Sequence, residues 1–226
     1  MRRLSPHLTR LLIPTSLTAN GLTALMVPMG LLAALALSFG GVWTAVVSVL
    51  LVQLQLLLDC ADGELARWRR TFSPAGVYLD QIAHYTTEAA LPAALGVRAD
   101  GGWDSIGGWT AVGLAASALI VLLKAETHLV LFARVRAGVE PVEAPDEEHP
   151  PVRAQRLRVR EGARLLPFFR PFHAIEATLL ALAAAIADAA SGELAGSRLL
   201  VALLASGALV AAAGHLAAVL ASNRLR

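Results

Sequence analysis

Six stretches of this chain are long and apolar enough to cross a lipid bilayer, which takes about twenty predominantly apolar residues per span. They run roughly from Asn20 to Phe39, Gly41 to Leu58, Gly76 to Val97, Gly107 to Leu131, Pro171 to Ala190 and Leu199 to Ala221. Inside lipid every backbone polar group must find its partner within the protein, and spans of this length do so as helices. The fold expected is therefore all-α: one polytopic membrane domain over residues 1–226, with six transmembrane helices. The segment from Met1 to Thr18 interleaves Arg2, Arg3 and Arg10 with Leu4, Leu8, Leu11, Leu12 and Ile13. That pattern suits a short amphipathic helix lying at the membrane interface, ended by Pro14. No cleavable signal peptide is expected, since no short apolar stretch with a small-residue cleavage site follows Arg2 and Arg3.

Basic residues set the expected orientation, because short cytoplasmic loops hold an excess of Lys and Arg. Six spans put both termini on one side. Sixteen arginines fall there: Arg2, Arg3 and Arg10, then Arg67, Arg69 and Arg70, then Arg134 and Arg136, the run from Arg153 to Arg170, and Arg224 and Arg226. The opposite loops hold two, Arg98 and Arg198. The termini and the polar loop of about residues 132–170 are thus expected in the cytoplasm, with the chain in the inner membrane. The acidic, proline-rich first half of that loop reads as disordered, and its arginine-rich second half as a basic interfacial helix or an active-site lid. A net charge of +2 gives no case for nucleic acid beyond a basic skirt that anionic headgroups explain. Cys60, the single cysteine, forms no internal disulfide and is given no chemical role. Arginine outnumbers lysine eighteen to one, a bias that hints at a GC-rich bacterium.

Against this apolar background, Asp59, Asp62 and Asp80 stand inside or at the edge of spans. Ionisable residues are costly there and mark a functional site by default. Asp59 and Asp62 are three apart and share a helix face, while Asp80 opens onto the next helix, so three acids from two helices can converge. Ser73-Pro74 reads as an N-cap with proline at the first helical position, and the preceding helix is expected to run through the acidic segment to Trp68 or Arg69. Three convergent oxygen donors suit a hard divalent cation, magnesium or manganese.

The string Asp59-x-x-Asp62-Gly63-x-x-Ala66-Arg67, eight further residues, then Gly76-x-x-x-Asp80, resembles the signature of the CDP-alcohol phosphatidyltransferase family. These are integral membrane enzymes that build phospholipid headgroups. The resemblance is specific over about twenty-five residues and extends loosely to the six-span architecture. It implies an enzyme transferring a substituted phosphate from a CDP-linked donor, CDP-diacylglycerol or a soluble CDP-alcohol, to an alcohol, with release of CMP. It further implies a metal at Asp59, Asp62 and Asp80. The donor would sit against Asp59, Asp62, Gly63, Ala66, Arg67 and Gly76, with Gly63 leaving room for it and Arg67 adding charge to the diphosphate. Ala66 and Gly76, being small, are expected to let the second and third helices approach closely.

One position departs from the family pattern: where a final Asp is expected, four residues after Asp80, stands His84. Imidazole is a competent general base and a poor ligand for magnesium, so the expectation is that base catalysis rests on His84 while metal ligation weakens. The alternative is a histidine hydrogen-bonded to Glu88 in an altered or inactive site. Glu88, Lys124, His128, Arg170 and His173 form the candidate acceptor site, with an ion pair between Lys124 and Glu126 and interfacial placement of Arg170 as the bland readings. Asn20 and Thr23, opening the first span, either reach the nucleotide or cap the helix, and His215 is expected in an interhelical hydrogen bond. Partners are then the CDP-linked donor, an alcohol acceptor and membrane lipids, with a homodimer open. Two rivals remain: a catalytically degenerate scaffold or ion-binding member of the fold, and an intramembrane prenyltransferase. The latter normally needs a second acid-rich motif that this chain lacks.

Overall fold

The computed structural model describes residues 1, 3–138 and 172–221, and over these the protein is helical with no strand. Among these described residues seven α-helices follow one another: α1 (Ser5–Leu12), α2 (Ala19–Ser38), α3 (Val42–Arg69), α4 (Pro74–Asp100), α5 (Gly108–Arg136), α6 (Ala174–Ser191) and α7 (Ala195–Ala221), with a 3-10 turn at Trp103–Ser105. Five of them, α2, α3, α5, α6 and α7, have the length and apolar composition of a membrane span. The protein is thus a multi-pass membrane protein. Helix α4 has 27 residues, about 40 Å, yet Asp80, His84, Glu88 and Arg98 interrupt its apolar run. The reason lies in its position: α4 is the inner helix, packed against α2, α5, α6 and α7, and Glu88 and Arg98 are buried inside the protein.

Local chemistry sets the helix ends. Ser73 caps α4 by accepting from the Gly76 N–H, with Pro74 in the first turn, as the sequence predicts. Helix α3 runs through the acidic segment to Arg69 and stops where Arg70 takes the left-handed conformation and the Thr71 N–H reaches the Ala66 carbonyl. Thr18, one residue before α2, accepts from the Gly21 N–H and is the cap of that helix. Neither Asn20 nor Thr23 fills that role, which overturns the capping reading of both. Helix α1 occupies only Ser5–Leu12 of the amphipathic segment.

Small residues bring particular helices together. A Cβ on Gly30 of α2 would lie 1.8 Å from the Thr87 hydroxyl of α4, and one on Gly113 of α5 would lie 2.9 Å from the Gly96 Cα of α4. Helices α3 and α4, by contrast, stand apart. Each packs along α2, and across the space between them only side chains meet, as where Gln55 Nε2 donates to Thr87 Oγ1 at 2.8 Å. The expected close approach of these two helices through Ala66 and Gly76 is therefore not found. A Cβ on Gly76 would instead strike Asn20 Oδ1 of α2 at 2.8 Å, so this glycine serves the α2–α4 contact. The consequence is a cleft between α3 and α4, closed behind by α2.

Candidate active site

The cleft receives the acidic side chains near one end of the bundle. Asp59 and Asp62 come from the last turns of α3, and Asp80 and His84 from the second and third turns of α4. His84 Nε2 lies 3.3 Å from Asp80 Oδ1 and 3.5 Å from Asp59 Oδ1. One donor atom from each of Asp59, Asp80 and His84 can be chosen so that all three lie within 4.8 Å of one another. Their side chains are 28–35% exposed, open enough for a ligand to enter and shielded enough for charge to matter.

Asp62 is not in that trio. Its Oδ2 accepts a hydrogen bond from Thr23 Oγ1 of α2 at 2.5 Å, so the third expected metal ligand is held by the wall of the cleft. Thr23 acts on a carboxylate of the site, a role the sequence reading did not give it. Its partner Asn20 also reaches across: Asn20 Nδ2 donates to Ser73 Oγ, the cap of α4, at 3.0 Å. The readable signal was the three-residue spacing of Asn20 and Thr23 on one helix face at the same end as the acids.

Two carboxylate oxygens and an imidazole nitrogen fit a divalent cation. The oxygens suit magnesium or manganese, and the nitrogen at the third corner favours the metal more tolerant of mixed donors. The two roles exclude each other: with its proton on Nε2, His84 donates to the carboxylates and leaves Nδ1 to accept another, whereas an Nε2 that ligates a metal carries none. His84 makes no bond to Glu88, contrary to the alternative of a His84–Glu88 pair.

The family profile for CDP-alcohol phosphatidyltransferases matches residues 11–143, more than half of the chain. The chain belongs to this family. CDP-alcohol phosphatidyltransferases are phosphotransferases acting between CDP-linked alcohols and a second alcohol among membrane lipids, generally with divalent metal ions. A comparison with curated proteins gives no match. The match covers α2 to α5 and so includes the whole trio of Asp59, Asp80 and His84.

The remaining residues of the CDP-alcohol phosphatidyltransferase signature flank the cleft. A Cβ on Gly63 would meet only the Arg67 guanidinium, at an ordinary 3.5 Å, so protein packing does not by itself demand glycine there. Arg67 folds back over that turn from an exposed position.

Deeper along α4, buried Glu88 gathers the candidate acceptor residues. Its Oε2 lies 2.7 Å from Lys124 Nζ and its Oε1 3.6 Å from His173 Nδ1. Lys124 Nζ stands 5.3 Å from the centroid of the Tyr85 ring, and the Tyr85 hydroxyl lies 2.8 Å from His128 Nδ1. Glu88, Lys124, His128 and His173 thus form one patch, joined by Tyr85, which the sequence reading missed because a single tyrosine in a span carries no spacing signal. Arg170 and the basic segment from Arg153 to Arg164 lie outside the described residues. The bland alternative, a Lys124–Glu126 pair, is not formed. Two residues apart on a helix, those side chains point about 200° away from each other, and Glu126 instead meets His215 Nδ1 of α7 at 2.8 Å. His215 makes the interhelical bond expected of it.

Proposed function

We propose that this protein transfers a substituted phosphate from a CDP-linked donor to an alcohol acceptor, releasing CMP, as a step of phospholipid synthesis. The observation that carries the proposal is the meeting of Asp59 and Asp80 with His84 in an accessible cleft between α3 and α4. The site lies at the end that bears Arg67, Arg69, Arg70, Arg134 and Arg136. The arginine bias supports a cytoplasmic placement of that end in a six-span arrangement that counts α4 as a span. CDP-linked donors are charged, and a site open to the cytoplasm receives them directly.

In this reading the acceptor oxygen forms a bond to the phosphorus bearing the transferred group, and the bond from that phosphorus to the bridging oxygen of the diphosphate breaks. CMP leaves with the electron pair. His84 takes the acceptor's hydroxyl proton at Nδ1. Arg67 holds the diphosphate, and Gly63 admits it close to the backbone. Asp59 and Asp80, with Asp62 steadied by Thr23, would hold magnesium or manganese, which supplies neutralisation of phosphate charge when bound. The patch of Glu88, Lys124, His128 and His173, with Arg170, receives the acceptor.

A second reading is favoured by one distance pair: Nε2 of His84 within 3.5 Å of both carboxylates. An imidazolium there neutralises the pair without a metal, as expected of a catalytically degenerate member of the fold. One experiment separates the two. Purified protein is assayed for CMP release from CDP-diacylglycerol and from soluble CDP-alcohols, against a panel of alcohols and alcohol phosphates, with magnesium, manganese or chelator. The transferase releases CMP only when donor, acceptor and metal are all present. No release from wild type, with release gained in His84→Asp, establishes the degenerate reading.

A further inference from the structure

Helix α1 precedes the residues matched by the family profile, apart from its last two, and it is fastened to the helix that carries the site. Glu64 follows Asp62 by two residues, so it projects from the other side of α3, about 200° round the axis. Its Oε1 accepts from Ser5 Oγ and its Oε2 from Thr9 Oγ1, each at 2.6 Å. Ser5 and Thr9 are four apart on one face of α1, and both are buried against α3. These are hydroxyl-to-carboxylate bonds, the charge-assisted kind.

The fastening continues along the chain. The guanidinium of Arg69, at the end of α3, donates to the carbonyls of Leu12, Ile13, Thr15 and Leu17 at 2.5–3.2 Å. The chain then enters α2, where Thr23 reaches Asp62. Residues 5–23 therefore pass around the last turns of α3, gripping Glu64 on one side and Asp62 on the other. Helix α3 meets α4, which supplies the other half of the site, through side chains, so the rotation of its last turns is set by its packing along α2 together with this grip. Helix α1 and the turn before it expose Leu4 and Leu11 beside Arg3 and Arg10, the composition of a segment seated on a lipid surface.

We propose that Glu64 is a positioning residue of the site: by locking α1 to the back of α3, it fixes the turn that presents Asp59 and Asp62 to a divalent cation. The inference rests on the reading of those carboxylates as cation ligands. Its test is therefore binding of manganese alone to the purified full-length chain in detergent, followed by electron paramagnetic resonance, which reads the site whether or not turnover occurs.

Wild type binds manganese and Asp59→Asn does not. Glu64→Ala and the double variant Ser5→Ala/Thr9→Ala each weaken binding roughly tenfold, at the low end for supporting groups around a metal. Combining them weakens it no further, because both cut the same contact. Glu64→Gln, which keeps one acceptor oxygen and offers the second hydroxyl an N–H, restores most of the affinity. If Glu64→Ala fails to fold, the single variants Ser5→Ala and Thr9→Ala carry the test from the other end of the same bonds. Full manganese affinity in these variants, with only a lower melting temperature, overturns the inference and leaves Glu64 a structural fastener. Absence of manganese binding by wild type overturns the cation-site reading itself, and the inference with it.

Discussion

The ionic groups at the far end of the bundle and the carboxylates of the cleft are handled in opposite ways. At the end away from the cleft, ionic groups are answered by backbone. Arg98 donates from Nη1 to the carbonyls of Phe39 and Gly41, at 3.0 Å each, and from Nε to Ser197 Oγ. Asp188 accepts the N–H groups of Gly196 and Ser197 and the Ser197 hydroxyl. Asp100 accepts the N–H groups of Gly107, Trp109 and Thr110 at the start of α5. Arg198 reaches the Ala99 carbonyl. At the cleft end, oxygens of Asp59 and Asp80 lie within 4.8 Å of each other and share one imidazole. Fixed dipoles that close loops make a polar cluster structural. Like charges gathered within reach of one ligand make a site that a ligand completes.

The comparison breaks first at the carboxylates. Asp59→Asn, Asp62→Asn and Asp80→Asn are each expected to abolish CMP release, a loss of at least about a hundredfold. None should lower the melting temperature in detergent, since removing one of several like charges relieves repulsion. Parallel turnover and melting measurements check this. Near wild-type turnover in any two of the three refutes the site, and a large fall in melting temperature moves these acids into the structural class of the far end.

His84 comes next. His84→Ala should lower turnover by roughly a hundredfold to ten-thousandfold while donor binding stays almost intact. The sign of the pH dependence follows from the role: a base must be unprotonated to work, so the wild-type rate falls toward acid, and that limb is absent from the alanine variant. His84→Asp adds a further carboxylate beside Asp59 and Asp80 and should strengthen the binding of magnesium. A full pH profile with each metal checks both statements. Unchanged activity and profile in His84→Ala would place the base elsewhere.

What the sequence disclosed here is what helical period and cost in lipid encode. The apolar windows, the cap at Ser73 and the run of α3 through Asp62 to Arg69 follow from local pattern, and so does the convergence of Asp59 with Asp80. Partner choice between helices was not legible. The four-residue step from Asp80 to His84 recurs from His84 to Glu88, so spacing could not say which carboxylate the imidazole would meet. Gly76 announced that something comes close, but not that the neighbour is Asn20 of α2 rather than α3. Lys124 had an acid two residues away in Glu126, yet its partner arrived from α4. The grip of α1 on Glu64 was hidden because hydroxyls on an amphipathic helix read as its solvent side.

At the far end the expected effect is on stability alone. Arg98 is 2% exposed and ties the α2–α3 turn to α7, so Arg98→Met leaves two carbonyls and a hydroxyl without their donor. Breaking a buried charged network of this kind costs about 3–5 kcal/mol. The protein that still folds should turn over at the wild-type rate per molecule. Equilibrium unfolding in mixed micelles, paired with turnover normalised to folded protein, checks the split, and a specific loss of turnover would show that the two ends are coupled.

The smallest effect is also the closest contrast between the ends, because the same bond occurs at both. Thr23 Oγ1 donates to Asp62 at 2.5 Å, and Ser197 Oγ donates to Asp188 at 2.5 Å. Each is a hydroxyl on a carboxylate, a bond of about 1.5–3 kcal/mol. Thr23→Val keeps the shape and removes the donor, freeing Asp62 to rotate away from the cleft. If the site reading holds, that energy appears in catalysis: kcat/KM falls about tenfold, as the lower end of that range converts. Thr23→Ser should recover most of it, and the melting temperature should move little. Ser197→Ala removes the matching donor from Asp188 and should do the reverse, lowering the melting temperature with kcat/KM unchanged. If both substitutions move the same observable, the distinction between a structural end and a catalytic end fails, and Thr23 is one more fastening of α2 to α3.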